Sequence, residues 1–193
     1  MRIIGGKYRS RVLASFDGDA VRPTSDRAKE ALFNMLAFKI MGARVLDLFS
    51  GSGALGLESL SRGAKEVAFN DLSKDSIALL KKNMKTLKIA EHGEEAKVYN
   101  LDYLTCLTAV KGQFDVIFID PPYRLDYGVP ALQSIVKNRL LSEDGVVVYE
   151  RDRAFDGEVD GLEKYDERKY GKAYFAFFKR ADTSKKNNDE EDV

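Results

Sequence analysis

Four short, mostly apolar runs, at residues 44–49, 66–71, 97–102 and 114–119, recur through the middle of the chain with helical patterns between them. The run Phe114-Asp115-Val116-Ile117-Phe118-Ile119 is close to continuously apolar, as a strand buried on both faces must be. Strands of that kind, separated by segments long enough for a crossover helix, predict an α/β domain with a parallel sheet. The first three runs carry an acid at or near their ends, Asp47, Asp71 and Asp102, and the fourth leads into Asp120-Pro121-Pro122-Tyr123. Open α/β sheets place their chemistry at the carboxyl ends of strands, so these residues outline one cleft.

Asp120-Pro121-Pro122-Tyr123 is the most specific of these features. Two consecutive prolines remove two backbone donors and stiffen the turn, which leaves carboxylate and carbonyl acceptors beside an aromatic ring. A planar NH2 group fits such a cup, with Tyr123 free to stack on the attached ring. A diproline also ends strands with no chemistry attached, so the motif gains its weight from what accompanies it.

The loop Ser50-Gly51-Ser52-Gly53-Ala54-Leu55-Gly56 follows the first run and precedes a helical pattern at Leu57, Leu60 and Ala64. Its glycines allow a tight turn and let backbone amides approach a ligand at a helix N-terminus. G-x-G-x-x-G alone does not distinguish a dinucleotide from other nucleoside cofactors. Asp47 does, because a carboxylate there repels a pyrophosphate and attracts the cationic amino end of S-adenosylmethionine. Asp71, about 20 positions past Gly51, stands where a ribose diol is usually held. Asp102 could take the adenine amino hydrogens. The plain alternatives are a surface turn for Asp71 and a helix N-cap for Asp102 ahead of Tyr103-Leu104-Thr105.

Charge is distributed unevenly although the net charge is zero. Residues 1–44 hold nine bases against four acids, whereas residues 185–192 hold two bases, four acids and no apolar side chain, the composition of a disordered tail. The opening segment alternates like a hairpin, with strands over 2–7 and 9–13 and Gly5-Gly6 near the turn. Lys7, Arg9 and Arg11, with Arg22 beyond, are candidates for RNA phosphates; the alternative is a solvated edge whose charges prevent aggregation. Pro23-Thr24-Ser25-Asp26 opens a helix with an apolar stripe at Ala28, Ala31, Leu32, Met35 and Leu36. The expected division is a basic extension over 1–22, a catalytic domain over 23–181 and a tail over 182–193. A helix is expected over 128–141, a fifth strand over 145–150, and a hairpin over 163–179 turning at Gly171. With one cysteine, Cys106, and one histidine, His92, neither an internal disulfide nor a zinc site is expected. No leader or membrane-length apolar run is read, so the expected location is the cytoplasm and the expected state a monomer.

These motifs resemble the class I S-adenosylmethionine-dependent methyltransferases that carry [Asn/Asp]-Pro-Pro-[Tyr/Phe/Trp] and methylate amino nitrogens. The openings Arg2-Ile3-Ile4-Gly5-Gly6-Lys7-Tyr8-Arg9-Ser10-Arg11-Val12-Leu13 and Arg22-Pro23-Thr24-Ser25-Asp26-Arg27-Ala28-Lys29-Glu30-Ala31-Leu32-Phe33-Asn34-Met35-Leu36, with Leu48-Phe49-Ser50-Gly51-Ser52-Gly53-Ala54-Leu55-Gly56, are similar to the RsmD family. The resemblance spans about residues 2–180. It implies a Rossmann-like fold with a seven-stranded, mostly parallel sheet, the last strand antiparallel, helices on both faces, and an N-terminal β-hairpin extension. It also implies methyl transfer from S-adenosylmethionine to the exocyclic N2 of a guanine in 16S rRNA, guanine 966, within a 30S subunit or an assembly intermediate. The implied cofactor residues are Asp47, Phe49, Ser50, Gly51, Gly53, Asp71, Leu72, Asp102, Tyr103 and, near the methionine end, Thr24. The implied catalytic residues are Asp120, Pro121, Pro122 and Tyr123. Two positions depart from the family pattern: Asp71 where Glu is common, and Ser10 where glycine is usual, which would disfavour a positive φ there. An adenine-N6 or protein glutamine-N5 methyltransferase would use the same cup, the latter more often with Asn first. A nicotinamide-dependent oxidoreductase or a non-catalytic RNA-binding module would use only the glycine loop or only the basic segment.

Overall fold

A computed structural model of the chain describes residues 1–16, 26–122 and 125–182. Thr24, Arg22, Tyr123 and the tail over 183–193 lie outside these described residues. Seven strands, β1 (Arg44–Asp47), β2 (Glu66–Asn70), β3 (Ala96–Tyr99), β4 (Phe114–Ile119), β5 (Leu141–Arg151), β6 (Leu162–Tyr170) and β7 (Ala173–Arg180), form one sheet in the order β3-β2-β1-β4-β5-β7-β6. β1 to β5 pair in parallel, while β7 runs antiparallel to both β5 and β6. The strand order reverses between β1 and β4. There the crossover helices diverge to opposite faces and a crevice opens at the carboxyl ends of the strands.

Helices α1 (Asp26–Met35), α2 (Ala37–Ile40), α3 (Ala54–Ser61), α4 (Lys74–Thr86), α5 (Tyr103–Ala109) and α6 (Gly128–Lys137) connect these strands. Strand alternation sorts the core into two layers. Val45, Val67, Phe69, Val116, Phe118 and Val148 pack with Leu32, Phe33, Leu57, Leu60, Leu80 and Met84 on one face. Leu46, Ala68, Ile117, Ile119, Val147 and Tyr149 pack with Cys106, Leu107, Ala131, Leu132 and Ile135 on the other. Cys106 is buried in this second layer, and its thiol is pushed up to about 12 by burial, so it behaves as a small hydrophobe. Among the described residues no helix is long and apolar enough to cross a membrane.

Two expected boundaries move. The helix read over 128–141 stops at Lys137, because Arg139 adopts a left-handed φ of 52°. Leu140 and Leu141 then enter the core, and β5 starts at Leu141 instead of Gly145. α4, capped by the Ser73 hydroxyl accepting from the Ser76 amide, fills the helical segment between the second and third runs.

At the amino terminus the chain folds back as expected, but the two strands expected over 2–7 and 9–13 reduce to one bridge between Arg2 and Val12 with flanking bonds. Gly6-Lys7-Tyr8 instead forms a 3-10 turn at the tip. Docking onto α3 explains this. The buried Glu58 carboxylate accepts from the amides of Ile4 and Gly5, both at 2.8 Å, and so consumes donors that a longer ladder would need. Ser10 takes the left-handed φ of 67° despite its side chain, its amide held by the Ile3 carbonyl at 2.9 Å. A conformation costing roughly 1 kcal/mol is imposed by the turn around it.

Candidate active site

The glycine loop is built for close approach. Gly51 and Gly53 both have positive φ, 51° and 86°. A side chain on Gly53 would strike Leu80 of α4, and one on Gly56 would come within 2.2 Å of the Phe69 ring, so Gly56 seats α3 tightly on β2 and Gly53 lets the loop close against α4. A Cβ on Gly51 would meet nothing within 4 Å, so this glycine faces open space. Beside it the Ser50 hydroxyl is buried and has no hydrogen-bond partner among the described residues, a polar atom that a ligand in the loop would satisfy.

Asp47 ends β1 almost fully buried, and its Oδ2 accepts from the Gly56 amide at 2.9 Å. Burial first, and Asp71 second, push its pKa up to about 7 against that hydrogen bond. Asp71 follows β2. Its Oδ2 accepts from Gly51 N and its Oδ1 from Ser73 N, both at 2.8 Å, so it straps the glycine loop to the start of α4. This is more than the surface turn considered above. Each carboxylate oxygen retains a second lone pair, so a diol can still bind there. Leu72 next to it is exposed.

Asp102 is the N-cap of α5, accepting from Leu104 N at 3.0 Å and Thr105 N at 3.5 Å. Both bonds fall on Oδ1, so the capping role and a ligand at Oδ2 are compatible. Phe49, Tyr103 and Tyr127 form an aromatic cluster with centroid separations of 5.5, 6.3 and 4.8 Å. Tyr127 was not among the sequence candidates. It precedes α6, and only the fold brings it to the other two rings.

Asp120 leaves β4 across the crevice from Asp47. β1 and β4 are paired up to Asp47 and Phe118, and the Leu48 amide continues the contact to the Phe118 carbonyl at 3.1 Å. Burial, then Glu150, then Asp47 hold the Asp120 carboxyl well above the ordinary carboxylate range. Asp71 acts on Asp47 and Asp47 on Asp120, so three of the four acids read at the strand ends influence one another in series. The Pro122 carbonyl accepts from Leu125 N at 2.9 Å. Next to Pro121 lies a cavity of about 220 Å³ bordered by Tyr149, Glu150, Arg151 and Arg153.

Of the basic candidates, Lys7 is paired with Glu95 at 3.1 Å, while Arg9 and Arg11 are exposed. Sequence reasoning also missed two buried polar clips. Asn70 donates to the Leu48 and Leu101 carbonyls and accepts from Leu101 N, joining the ends of β1, β2 and the chain after β3. Asn83 bonds both ways with Ala14 and donates to the Ser52 carbonyl, so it joins the amino-terminal segment to the glycine loop.

A parallel sheet of this order, closed by an antiparallel β7, with an acid after each of the central strands and a diproline cup at the switch point, defines a class I methyltransferase. Comparison with known proteins agrees. The family described as "Conserved hypothetical protein 95" matches residues 1–179. "Ribosomal RNA small subunit methyltransferase D" of Haemophilus influenzae is 40% identical over 155 residues, 79% of each chain. YlbH of Bacillus subtilis is 38% identical over 185 residues, 93% of this chain and 99% of that protein. The solved structure of yhhF from Escherichia coli superposes with a TM-score of 0.79 at 34% identity, covering 93% and 97% of the two chains. The chain belongs to the RsmD family of methyltransferases.

Proposed function

We propose that the protein methylates the exocyclic N2 of a guanine in small-subunit ribosomal RNA, guanine 966, using S-adenosylmethionine. The observation that carries this reading is Asp120, half-buried beside the diproline at the switch point, with Asp47 at the end of the adjacent strand. The substrate class rests on relatives named as small-subunit ribosomal RNA methyltransferases and on the exposed Arg9 and Arg11.

The donor-side residues fit that cofactor. Asp47 would face the ammonium, Ser50 Oγ and the Gly51–Gly53 backbone the methionine and ribose, Asp71 the diol, and Leu72, Asp102, Tyr103 and Phe49 the adenine. When bound, S-adenosylmethionine supplies an electrophilic methyl. An exocyclic amine is a poor nucleophile because its lone pair is delocalised into the ring. Asp120 and the Pro121 carbonyl hold its hydrogens and let the nitrogen become tetrahedral. As positive charge grows on that nitrogen the acceptors bind it more strongly, so they stabilise the transition state over the ground state. The nitrogen sheds its proton after attack, so no strong base is required. Tyr123 is the candidate for stacking on the base, which must be unpaired or flipped outward to reach the cup.

The test is incubation with methyl-labelled cofactor and small subunits from cells lacking the enzyme, followed by nucleoside analysis. N2-methylguanosine at one position is the expected product. Label in N6-methyladenosine or in protein would contradict the assignment.

A further inference from the structure

Glu150 is a buried carboxylate at the end of β5 that the mechanism above leaves without a task. β4 and β5 are paired in parallel up to Ile119 and Tyr149, so Asp120 and Glu150 are the next residues of adjacent strands, about 4.8 Å apart in such a sheet. They also project from the same face. Val116 and Phe118 on one strand and Val146 and Val148 on the other all pack in the first core layer, and Asp120 and Glu150 continue that alternation. Glu150 borders the cavity next to Pro121, on the side of the cup away from the glycine loop. Asp126, Arg151, Asp152 and Arg153 border it too, so carboxylate acceptors and cationic donors share one lining. Arg151 is held there by its guanidinium, 5.2 Å from the Tyr149 ring and 5.3 Å from the Phe155 ring.

We propose that Glu150 selects guanine as the acceptor base by accepting a hydrogen bond from its N1–H, while Asp120 and the Pro121 carbonyl hold the neighbouring N2. The proposal rests on the reading of the site as a guanine-N2 methyltransferase and names the residue that reads the base. Guanine presents two adjacent donors on its Watson–Crick edge, N1–H and N2–H, and the acceptor oxygens of the side-by-side Asp120 and Glu150 side chains complement them. Adenine presents its amine next to an unprotonated N1, whose lone pair would face Glu150 with no proton between them. On this reading Glu150, and not the cup, makes the choice of guanine over adenine.

The experiment compares small subunits reassembled with RNA carrying either guanine or 2-aminopurine at the modified position. 2-Aminopurine keeps the N2 amine but has an acceptor at N1. The wild-type enzyme should prefer guanine by about 10- to 100-fold in kcat/KM, the worth of one well-formed charged hydrogen bond. Glu150→Gln, whose amide can donate to that acceptor, should lose a similar factor on guanine and narrow or invert the preference, with cofactor affinity by calorimetry unchanged. Equal wild-type rates on both bases, or a Glu150→Gln variant that keeps the wild-type preference, would overturn the proposal while leaving the guanine-N2 reading intact. Transfer to neither base by the wild-type enzyme would refute that reading, and the proposal with it. Should Glu150→Gln fail to bind cofactor, the wild-type preference alone decides.

Discussion

The carboxylates of the cleft differ in what holds them, and that sets how each should respond to change. Asp120 makes its proposed contacts only to the acceptor base. Asp120→Ala should therefore leave cofactor affinity in calorimetry within a few-fold and cut methyl transfer by about 10²- to 10³-fold; unaltered turnover would remove it from the mechanism. Asp47 is raised to about 7 by burial, above the ordinary value it has in the unfolded chain. Between those two values the folded state binds the extra proton, so its contribution to stability is present below the unfolded pKa and is lost as pH rises toward 7. Asp47→Asn should flatten the pH dependence of the apoenzyme's stability in denaturant titrations between about pH 4 and 7. A cationic ligand requires the ionised form, so the affinity for S-adenosylmethionine should rise with pH through about 7 in the wild type. An affinity independent of pH would mean that Asp47 does not face the ammonium. Asp47, Asp71, Asp102 and Asp120 were all legible in the sequence, because an acid after an apolar run is a local pattern. The second duties of Asp71 and Asp102, strapping the glycine loop and capping α5, were less so, since they depend on which amides the fold brings near. Glu150 was not legible at all. It ends a strand whose partner lies some 30 residues earlier, and only the β4–β5 register puts it beside Asp120.

At the scale of elements, the amino-terminal segment and α3 behave as one unit. Glu58 accepts from Ile4 N, Gly5 N and Arg62 Nε, and pairs with Lys29 at 3.3 Å, both side chains being fully buried. Lys29 in turn donates to the Arg2 carbonyl at 2.6 Å, and burial lowers its pKa in spite of Glu58. Ser61 completes the seam by accepting from Tyr8 N and donating to the Gly5 carbonyl. Breaking such a pair leaves a buried charge uncompensated, so Glu58→Ala should cost about 3–5 kcal/mol in urea denaturation. A loss under 1 kcal/mol would show that the seam contributes little. The sequence pattern does not single out Glu58 or Lys29, and the alternation of residues 2–13 suggests a hairpin. The alternation was real, with Ile3 and Leu13 both buried, but tertiary bonds to α3 replaced the ladder that it implied.

Across the whole molecule, the parallel core was readable because its strands are nearly continuous apolar runs, whereas the start of β5 was hidden behind Ser142, Glu143 and Asp144. The fold sets the basic tip of the amino terminus on α3, the helix that begins at the glycine loop. RNA phosphates gripped at the tip would thus be positioned relative to the cofactor site through a rigid seam. Lys7 is already paired with Glu95, so most of the effect should come from Arg9 and Arg11. Replacing both with Gln should reduce the slope of log affinity against log salt by about 1.5 for a largely single-stranded RNA site; an unchanged slope would make the tip purely structural. The central claim is that a donor held at Asp47 and Asp71 presents its methyl to the diproline cup. Crystals grown with S-adenosylhomocysteine test it most directly. The account predicts the ribose at Asp71, the amino group at Asp47 and the sulfur directed at the space between Asp120 and Pro121. A sulfur directed away from that corner, whatever the affinity, would contradict it.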